Sequence, residues 1–483
     1  MWISLLKNIM KAFFYTLLLL LCNVASWSQT IITDNSNVSG TWTYANSPYI
    51  IEGRAIILAG QTLTIEPGVE IQFATSTSFY SNDFEYVYGK VGVLHVQGKL
   101  IANGTLDSTI SFTRFGTTAY WACILFDEYA DSNSSITNSI IEYANEISGV
   151  TGITSVVSFD AGISFYKSKA KIQYCEIRNC RNNGLNYFYA PDGSLSNNKI
   201  HDNGKNGIYA WLSNIRIENN YISHNSFLYT GYVSAIANIQ CNNIISGNLI
   251  YENDDVGIFI SDSTTKIYNN TILKNYQGIR IEKEGNFEIK NSIIYTNETD
   301  YATSGAYPSA TIYTGNSLVG SSFPSNVIDS GGNIFNTFPQ FTDTLNDDYS
   351  LLPSSVCIDA GDINYSNYFP LVDINGNTRI TNGIIDMGAY EYLKNVVTNI
   401  SETKKINYLL TQNHDIFTIN LINQNDNIKN IRLYNLIGEK MYSIENIKSN
   451  EVTLNMNIFN DGIYFIEIRT ENEIFVKKIY FNM

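Results

Sequence analysis

Along the middle of the chain, apolar and polar positions repeat one phrase. It reads Ile217-Glu-Asn-Asn-Tyr-Ile222-Ser-His-Asn225, then Ile267-Tyr-Asn-Asn-Thr-Ile272-Leu-Lys-Asn275, then Ile289-Lys-Asn-Ser-Ile-Ile294-Tyr-Thr-Asn297. Asn203, Asn225, Asn253, Asn275 and Asn297 recur at intervals of 22, 28, 22 and 22, with Asn198, Asn220, Asn248 and Asn270 five positions ahead. A period near 22 without helical spacing predicts a solenoid whose rungs are short strands. Rungs start at Ile136, Ile172, Leu195, Ile217, Ile245, Ile267 and Ile289, and degenerate towards Ile312 and Ile334. Two more apolar positions follow Gly184, Gly207, Gly257 and Gly278, giving three strands per turn with inward and outward residues alternating. Stacked asparagines would satisfy one another and the turn backbone, an internal scaffold instead of a catalytic set.

Both ends depart from this rhythm. Residues 1–28 read as a signal peptide: Lys7 and Lys11, an apolar run from Ala12 to Leu21, and a Ser26-Trp-Ser28 cleavage site. A lipoprotein signal ending at Cys22 is the rival, disfavoured by Leu21 where a small residue is needed. Residues 29–130 form an opening segment, 131–335 the regular rungs, 336–392 a closing segment and 393–405 a polar linker. Insertions at Asn145–Ser158 and Ser226–Val233 are expected as surface loops. In 406–483, alternating strands at Ile416–Ile422, Ile428–Tyr434, Glu451–Met456, Gly462–Thr470 and Glu473–Tyr480 predict a small β-sandwich.

Composition narrows the functions. Charged residues are 16% of the chain and the formal charge is −15, spread without any long acidic run, so nucleic acid and anionic lipid are disfavoured partners. An anionic glycan would need a local basic patch or a bridging cation. No later stretch reaches the ~20 apolar residues of a membrane span. Beyond the signal remain Cys123, Cys175, Cys180, Cys241 and Cys357, an odd and sparse set unlike a disulfide framework. Cys175 and Cys180 occupy the two asparagine slots, which suits small buried side chains.

The rungs resemble right-handed parallel β-helix proteins of the pectate-lyase-like superfamily, over residues 30–392. Ser39-Gly-Thr-Trp-Thr-Tyr-Ala-Asn-Ser-Pro-Tyr-Ile50 and Leu63-Thr-Ile-Glu-Pro-Gly68 are similar to the opening of such proteins secreted by Bacteroidetes. Asp348-Tyr-Ser-Leu-Leu-Pro353, Ile358-Asp-Ala-Gly-Asp362, Asp373-Ile-Asn-Gly-Asn-Thr-Arg379 and Asp386-Met-Gly-Ala-Tyr-Glu391 resemble their closing segment. The last domain resembles the C-terminal sorting domain of the type IX secretion system. The resemblance rests on Ile431-Arg-Leu-Tyr-Asn-Leu-Ile-Gly438, Asp461-Gly-Ile-Tyr464 and Lys477-Lys-Ile479. Asn413-His-Asp-Ile-Phe-Thr-Ile419 stands where Pro-Asn-Pro is usual. These resemblances imply an all-β chain: a right-handed parallel β-helix solenoid followed by a small C-terminal β-sandwich. They also imply export through the type IX secretion machinery and an extracellular or outer-membrane surface address.

Candidate chemistry lies on the glycine-led strands. With Ile208, Ile258 and Ile279 inward, Tyr209, Phe259 and Arg280 face outward in one column. Tyr166, Phe188, Trp211, Ser261 and Glu282 form the next. The aromatic members, Tyr166, Phe188, Tyr209, Trp211 and Phe259, are expected to stack on sugar rings of an extracellular polysaccharide. The equal alternative is that a loop such as Ser226–Val233 covers them. An enzyme, as a polysaccharide lyase or glycosidase in the same groove, is the second reading, and a non-catalytic adhesin or stalk the third. Asn253-Asp-Asp255 with Arg280-Ile-Glu-Lys283 is faintly similar to polygalacturonase motifs and would make Asp254, Asp255, Arg280, Glu282 and Lys283 catalytic candidates. Lys283 falls one residue late, however, and the His-Gly and a third aspartate are missing. The plainer alternative makes Asp254 and Asp255 turn residues and Arg280–Glu282 a surface ion pair. His201 and His224 lie on neighbouring rungs, weak evidence for a metal. No cofactor is expected, although Asp359, Asp362, Asp373, Asn375 and Asp386 are oxygen-rich enough for Ca²⁺ if they converge. Capped turns would explain them equally well.

Overall fold

The computed structural model describes residues 29–75, 91–145, 159–228, 233–283, 285–303, 311–381 and 383–393 of one compact unit. In a second unit, which begins at Asn395, it describes 408–413, 416–421, 427–435, 438–457, 459, 462–470 and 474–481. The signal peptide, most of the linker and most of the Asn145–Ser158 insertion lie outside the described residues.

In the first unit the chain winds through three parallel sheets of 13, 11 and 12 strands, here called A, B and C, each strand pairing with its counterpart one coil away. The parallel rungs begin at Thr30–Ile32, so the opening segment already runs in the same three sheets as the regular coils. The expected rung starts pair residue for residue in sheet C: Ile136 with Ile172, Ile172 with Leu195, Leu195 with Ile217, and on through Ile245 and Ile267 to Ile289. The last rungs differ from expectation. Ile312 pairs with Phe287, Thr314 takes the place beside Ile289, and Ile334 belongs to sheet A beside Leu318. Inward isoleucines from all three sheets form one continuous core.

Corners between sheets are single residues in the left-handed region. Between C and A they include Asn138, Tyr174, Asn197, Asn219, Gly247, Asn269, Asn291 and Asn316, with φ of 45–69°. Asparagine tolerates this conformation because its short amide bonds locally. Each is followed by an inward residue of the ladder, so the repeated Asn-Asn pairs divide two tasks. The first turns the chain and the second ties the rungs. Asn198 donates to Asn220, Asn220 to Asn248 and Asn248 to Asn270 at 3.0, 3.0 and 2.9 Å. The parallel column from Asn203 through Asn225, Asn253 and Asn275 to Asn297 repeats this at 2.9–3.0 Å. Each acceptor oxygen also takes the backbone N–H one rung earlier, as Asn253 does from Asn225.

The closing segment returns to pack on the outside of sheet A. Phe341, Tyr349, Leu351, Met387 and Tyr390 bury against outward Leu249, Leu273, Ile293 and Leu318. The outward corner asparagines hold it: Asn219 and Asn269 donate to the carbonyls of Val372 and Asp386, and Asn291 exchanges two bonds with Asp362. On sheet C, Tyr268 stacks with Tyr365 and Tyr368 of a short 3-10 turn, at centroid distances of 5.5 and 5.3 Å.

The second unit holds an antiparallel three-stranded sheet and an antiparallel four-stranded sheet sharing a core of Phe417, Ile419, Ile431, Leu433, Leu454, Ile466 and Ile468. That is the expected sandwich, with two strands the alternation pattern missed, Tyr408–Asn413 and Lys440–Ile444.

Candidate functional site

The outward face of sheet B carries the candidates in two columns. One runs Ser164, Asn186, Tyr209, Ala237, Phe259, Arg280, and the other Tyr166, Phe188, Trp211, Ile239, Ser261, Glu282. The columns contain a rung absent from the sequence-derived strip. Strand Ser234–Ile239 inserts Ala237 and Ile239 between Tyr209 and Phe259 and between Trp211 and Ser261. Phe259 therefore stands two rungs, roughly 10 Å, from Tyr209.

Exposure divides the five aromatics. Tyr166, Phe188 and Phe259 are 6%, 5% and 7% exposed, while Tyr209 and Trp211 are half-buried. Phe159, at the end of the first insertion, meets Tyr166 and Phe188 edge-on at 6.2 and 6.0 Å. With Val93, Cys123 and Leu125 these rings make a second apolar core outside the sheet. The expected five-membered strip is thus corrected to a covered end and an open ledge. The cover here includes Phe159, which directly follows the first insertion. On the ledge, Trp211 meets Phe188 at 6.4 Å and Tyr189 at 5.3 Å, and donates its indole N–H to Gln240 Oε1 at 3.0 Å. Tyr189, a left-handed corner residue, is 37% exposed and extends the ledge outward, a neighbour the strand alternation could not show.

Polar groups border the ledge. Asp160 accepts from Asn183 Nδ2 at 3.1 Å, Asn186 Nδ2 at 2.9 Å and Lys205 Nζ at 3.0 Å. Under the covered end, His95 Nε2 and Asp127 Oδ2 lie 2.8 Å apart, both buried, with Gln97 Nε2 donating to the same oxygen at 2.9 Å. Burial pushes the Asp127 carboxyl up, but the hydrogen bonds from His95, Gln97 and the Tyr129 N–H outweigh it and hold it below the usual carboxylate value. Neither pair was visible in the sequence: 32 residues separate His95 from Asp127, and only the coil winding brings them together.

The catalytic candidates do not converge. Arg280 Nη2 donates to Glu282 Oε1 at 2.8 Å, and Lys283 pairs with Asp262 at 3.4 Å. Asp255 precedes Val256, the partner of Gln277, which places it four residues of strand, roughly 13 Å, from Arg280. Asp254 is exposed at a corner. His201 and His224 each have carboxylate partners, which the sequence reading did not supply: Glu176 and Asp202 for the first at 3.1 and 2.6 Å, Glu252 for the second at 3.2 Å.

Nor do the five oxygen-rich residues of the closing segment form a cation cage. Asp373 spends its oxygens on the N–H groups of Asn375, Asn377 and Glu391, and Asp386 on those of Asp359 and Tyr392. Asp362 caps Asn364, and Asn375 accepts from the Tyr221 hydroxyl. Among the described residues no group of three or more histidine, cysteine, aspartate or glutamate side chains is placed to hold a metal ion. Buried Arg379 threads this segment, donating to Glu391 and to the carbonyls of Gly388 and Ala389 at 2.9–3.0 Å.

Comparison with known proteins agrees with the two units. Residues 161–328 match the family model described as right handed beta helix region, and residues 413–482 match the secretion system C-terminal sorting domain. The chain therefore carries a right-handed parallel β-helix domain and a type IX secretion sorting domain, and is a secreted or cell-surface protein. No curated protein sequence matches it. Solved structures similar to it include pectate lyase Pel9A, at 13% identity and TM-score 0.37 over 70% of this chain and 89% of that one. The periplasmic alginate epimerase AlgG is similar at 11% and 0.39, over 64% and 85%. The A-module of Azotobacter vinelandii mannuronan C-5 epimerase AlgE4 is similar at 12% and 0.30, over 68% and 85%. No helix among the described residues is long and apolar enough to cross a membrane.

Proposed function

We propose that the protein binds extracellular polysaccharide on the open part of the outer face of sheet B. The observation that carries this reading is the ledge of Tyr189, Tyr209 and Trp211. The ring of Trp211 is braced from behind by Phe188 and held by Gln240, while Tyr189 next to it is left partly in solvent. Rigid aromatic rings beside fixed hydrogen-bonding groups suit a sugar ring, which offers an apolar face and hydroxyl edges. Tyr166 and Phe188 act as the packed support of this ledge, and Phe259, two rungs on, is buried. The secreted address brings the ledge to extracellular polymers.

The test is a glycan array probed with the wild type, Trp211→Ala and Tyr209→Ala. Binding that disappears in both variants, with far-ultraviolet circular dichroism unchanged, is the expected result. Binding that survives both would place the ligand elsewhere. No binding to any glycan would leave an adhesive stalk.

A further inference from the structure

We infer that the ledge takes a neutral, hydroxyl-rich glycan, whose hydroxyls are read by the Asp160 carboxylate, and that it rejects polyuronates. This rests on the polysaccharide reading above and names the ligand class. Asp160 follows Phe159 directly, so one residue closes the apolar end of the face and the next opens the polar part. Its carboxylate lies beside Asn186, which is the cross-strand partner of Tyr209 one rung away, roughly 5 Å along the stack.

The carboxylate is fixed before any ligand arrives. Asn183 and Asn186 both donate to Oδ1, and Lys205 donates to Oδ2. Asn183 is itself held, donating also to Asn186 and accepting from Asn206 through its backbone N–H and side-chain amide. These three donors fill three of a carboxylate's roughly four lone-pair sites, leaving one on Oδ2 for a hydroxyl. A hydroxyl bonded to an ionised, preset acceptor gains more than one bonded to a neutral group.

The charges around the ledge disfavour the anionic alternative. Three described cations on this face are matched by a carboxylate, Lys205 by Asp160 at 3.0 Å, Arg280 by Glu282 at 2.8 Å and Lys283 by Asp262 at 3.4 Å, while the Arg181 guanidinium lies over the Tyr120 ring at 5.9 Å. Among the described residues next to the rings, a uronate would therefore meet the Asp160 carboxylate and a lysine already paired with it. The whole chain, at −15, adds to the repulsion.

Affinity electrophoresis and calorimetry of the mature full chain would decide this. The probes are neutral glucan, mannan and xylan, set against polygalacturonate and alginate, each with and without calcium. Binding of a neutral polymer is expected, changing little between about 0.05 and 0.5 M NaCl because no ion pair forms. Trp211→Ala should abolish it, and Asp160→Asn should weaken it about tenfold, the loss of one charge-assisted hydrogen bond. Lys205→Met, which frees a second site on Oδ2 but leaves the carboxylate, should retain binding. Polyuronate binding that is lost in Trp211→Ala would overturn the neutral class while keeping the ledge as the site. Neutral-glycan binding unchanged in Asp160→Asn would overturn the role of the carboxylate. Absence of binding to every polymer would overturn both readings.

Discussion

Replacing Asn253 tests whether the asparagine ladder stabilises the solenoid through its hydrogen bonds or merely fills space. In the fold, Asn253 Oδ1 accepts the backbone N–H of Asn225 at 3.1 Å and its Nδ2 at 3.0 Å. The Asn253 amide donates to Asn275 Oδ1 at 3.0 Å and to the carbonyls of Ile222 and Tyr251 at 3.1 Å. In Asn253→Ala the Asn225 amide keeps the carbonyls of Ile200 and Ser223, but its buried backbone N–H loses its acceptor. An orphaned buried N–H costs about 1–3 kcal/mol, and the lost amide–amide bond about 1 kcal/mol more. The sum is about 3 kcal/mol. Asn253→Ser should cost only about 1 kcal/mol, because the companion column already shows the replacement working: Asn270 N–H donates to Ser292 Oγ at 3.2 Å and Ser292 N–H to Ser317 Oγ at 3.1 Å. In a repeat array the loss is felt first by neighbouring rungs. Hydrogen exchange should therefore show faster opening around Asn225 and Asn275, before any change near Thr62–Ile65. Equal losses in alanine and serine variants, or an alanine loss under about 1 kcal/mol, would refute the hydrogen-bond argument.

Other consequences follow from the same structure. Phe188→Ala should destabilise the solenoid by about 3–5 kcal/mol in chemical denaturation, because a buried ring between Phe159 and Trp211 is lost. Arg280→Ala, by contrast, should change stability by no more than about 1 kcal/mol, since it breaks a part-exposed pair with Glu282. A hydrogen bond from His201, opposed by partial burial and aided by Arg178, lowers the Glu176 carboxyl to about 2. Its stabilising contribution is therefore complete above an unfolded value of about 4.5 and disappears as pH falls from there towards 2. Glu176→Gln should flatten the acid limb of the melting-temperature profile over that interval. His201, raised by the same bond, contributes below its unfolded value of about 6.5 and loses that contribution as pH rises through its folded value. Chelation should leave the melting temperature unchanged, because the Asp373 and Asp386 oxygens are taken by backbone N–H groups.

The solenoid was legible because two independent signals share its period. Inward isoleucines and corner asparagines both mark the same step, so the pairing from Ile136 to Ile289 follows from the spacing alone. Where one signal fails, the register fails with it. In sheet B the marker was glycine, and the strand Ser234–Ile239 has Ala235 in that slot. Its rung went uncounted, and Phe259 was drawn next to Tyr209 when Ala237 lies between them. Near the C-terminal end the two signals disagree: the corner Asn316 marks Thr314 as the partner of Ile289, whereas the apolar residue, Ile312, lies two positions earlier.

The site was less legible for a different physical reason. Alternation along a strand assigns a side chain to the inner or outer face, but it does not say what lies over the outer face. Tyr166 and Tyr209 are both outward on sheet B, yet one is 6% exposed and the other remains partly in solvent. The difference comes from Phe159, seven residues before Tyr166 in sequence but folded back over it and over Phe188. His95 and Asp127 face outward by the same rule and are buried beneath the same covered end, where only a hydrogen-bonded pair can be accommodated. The neighbouring Asp160 keeps 15% of its side chain exposed and places its carboxylate beside Asn186, next to the rings that remain open. Phe159 and Asp160, the two residues that bring the chain back into the repeat, thus decide which part of an otherwise continuous face can meet a ligand.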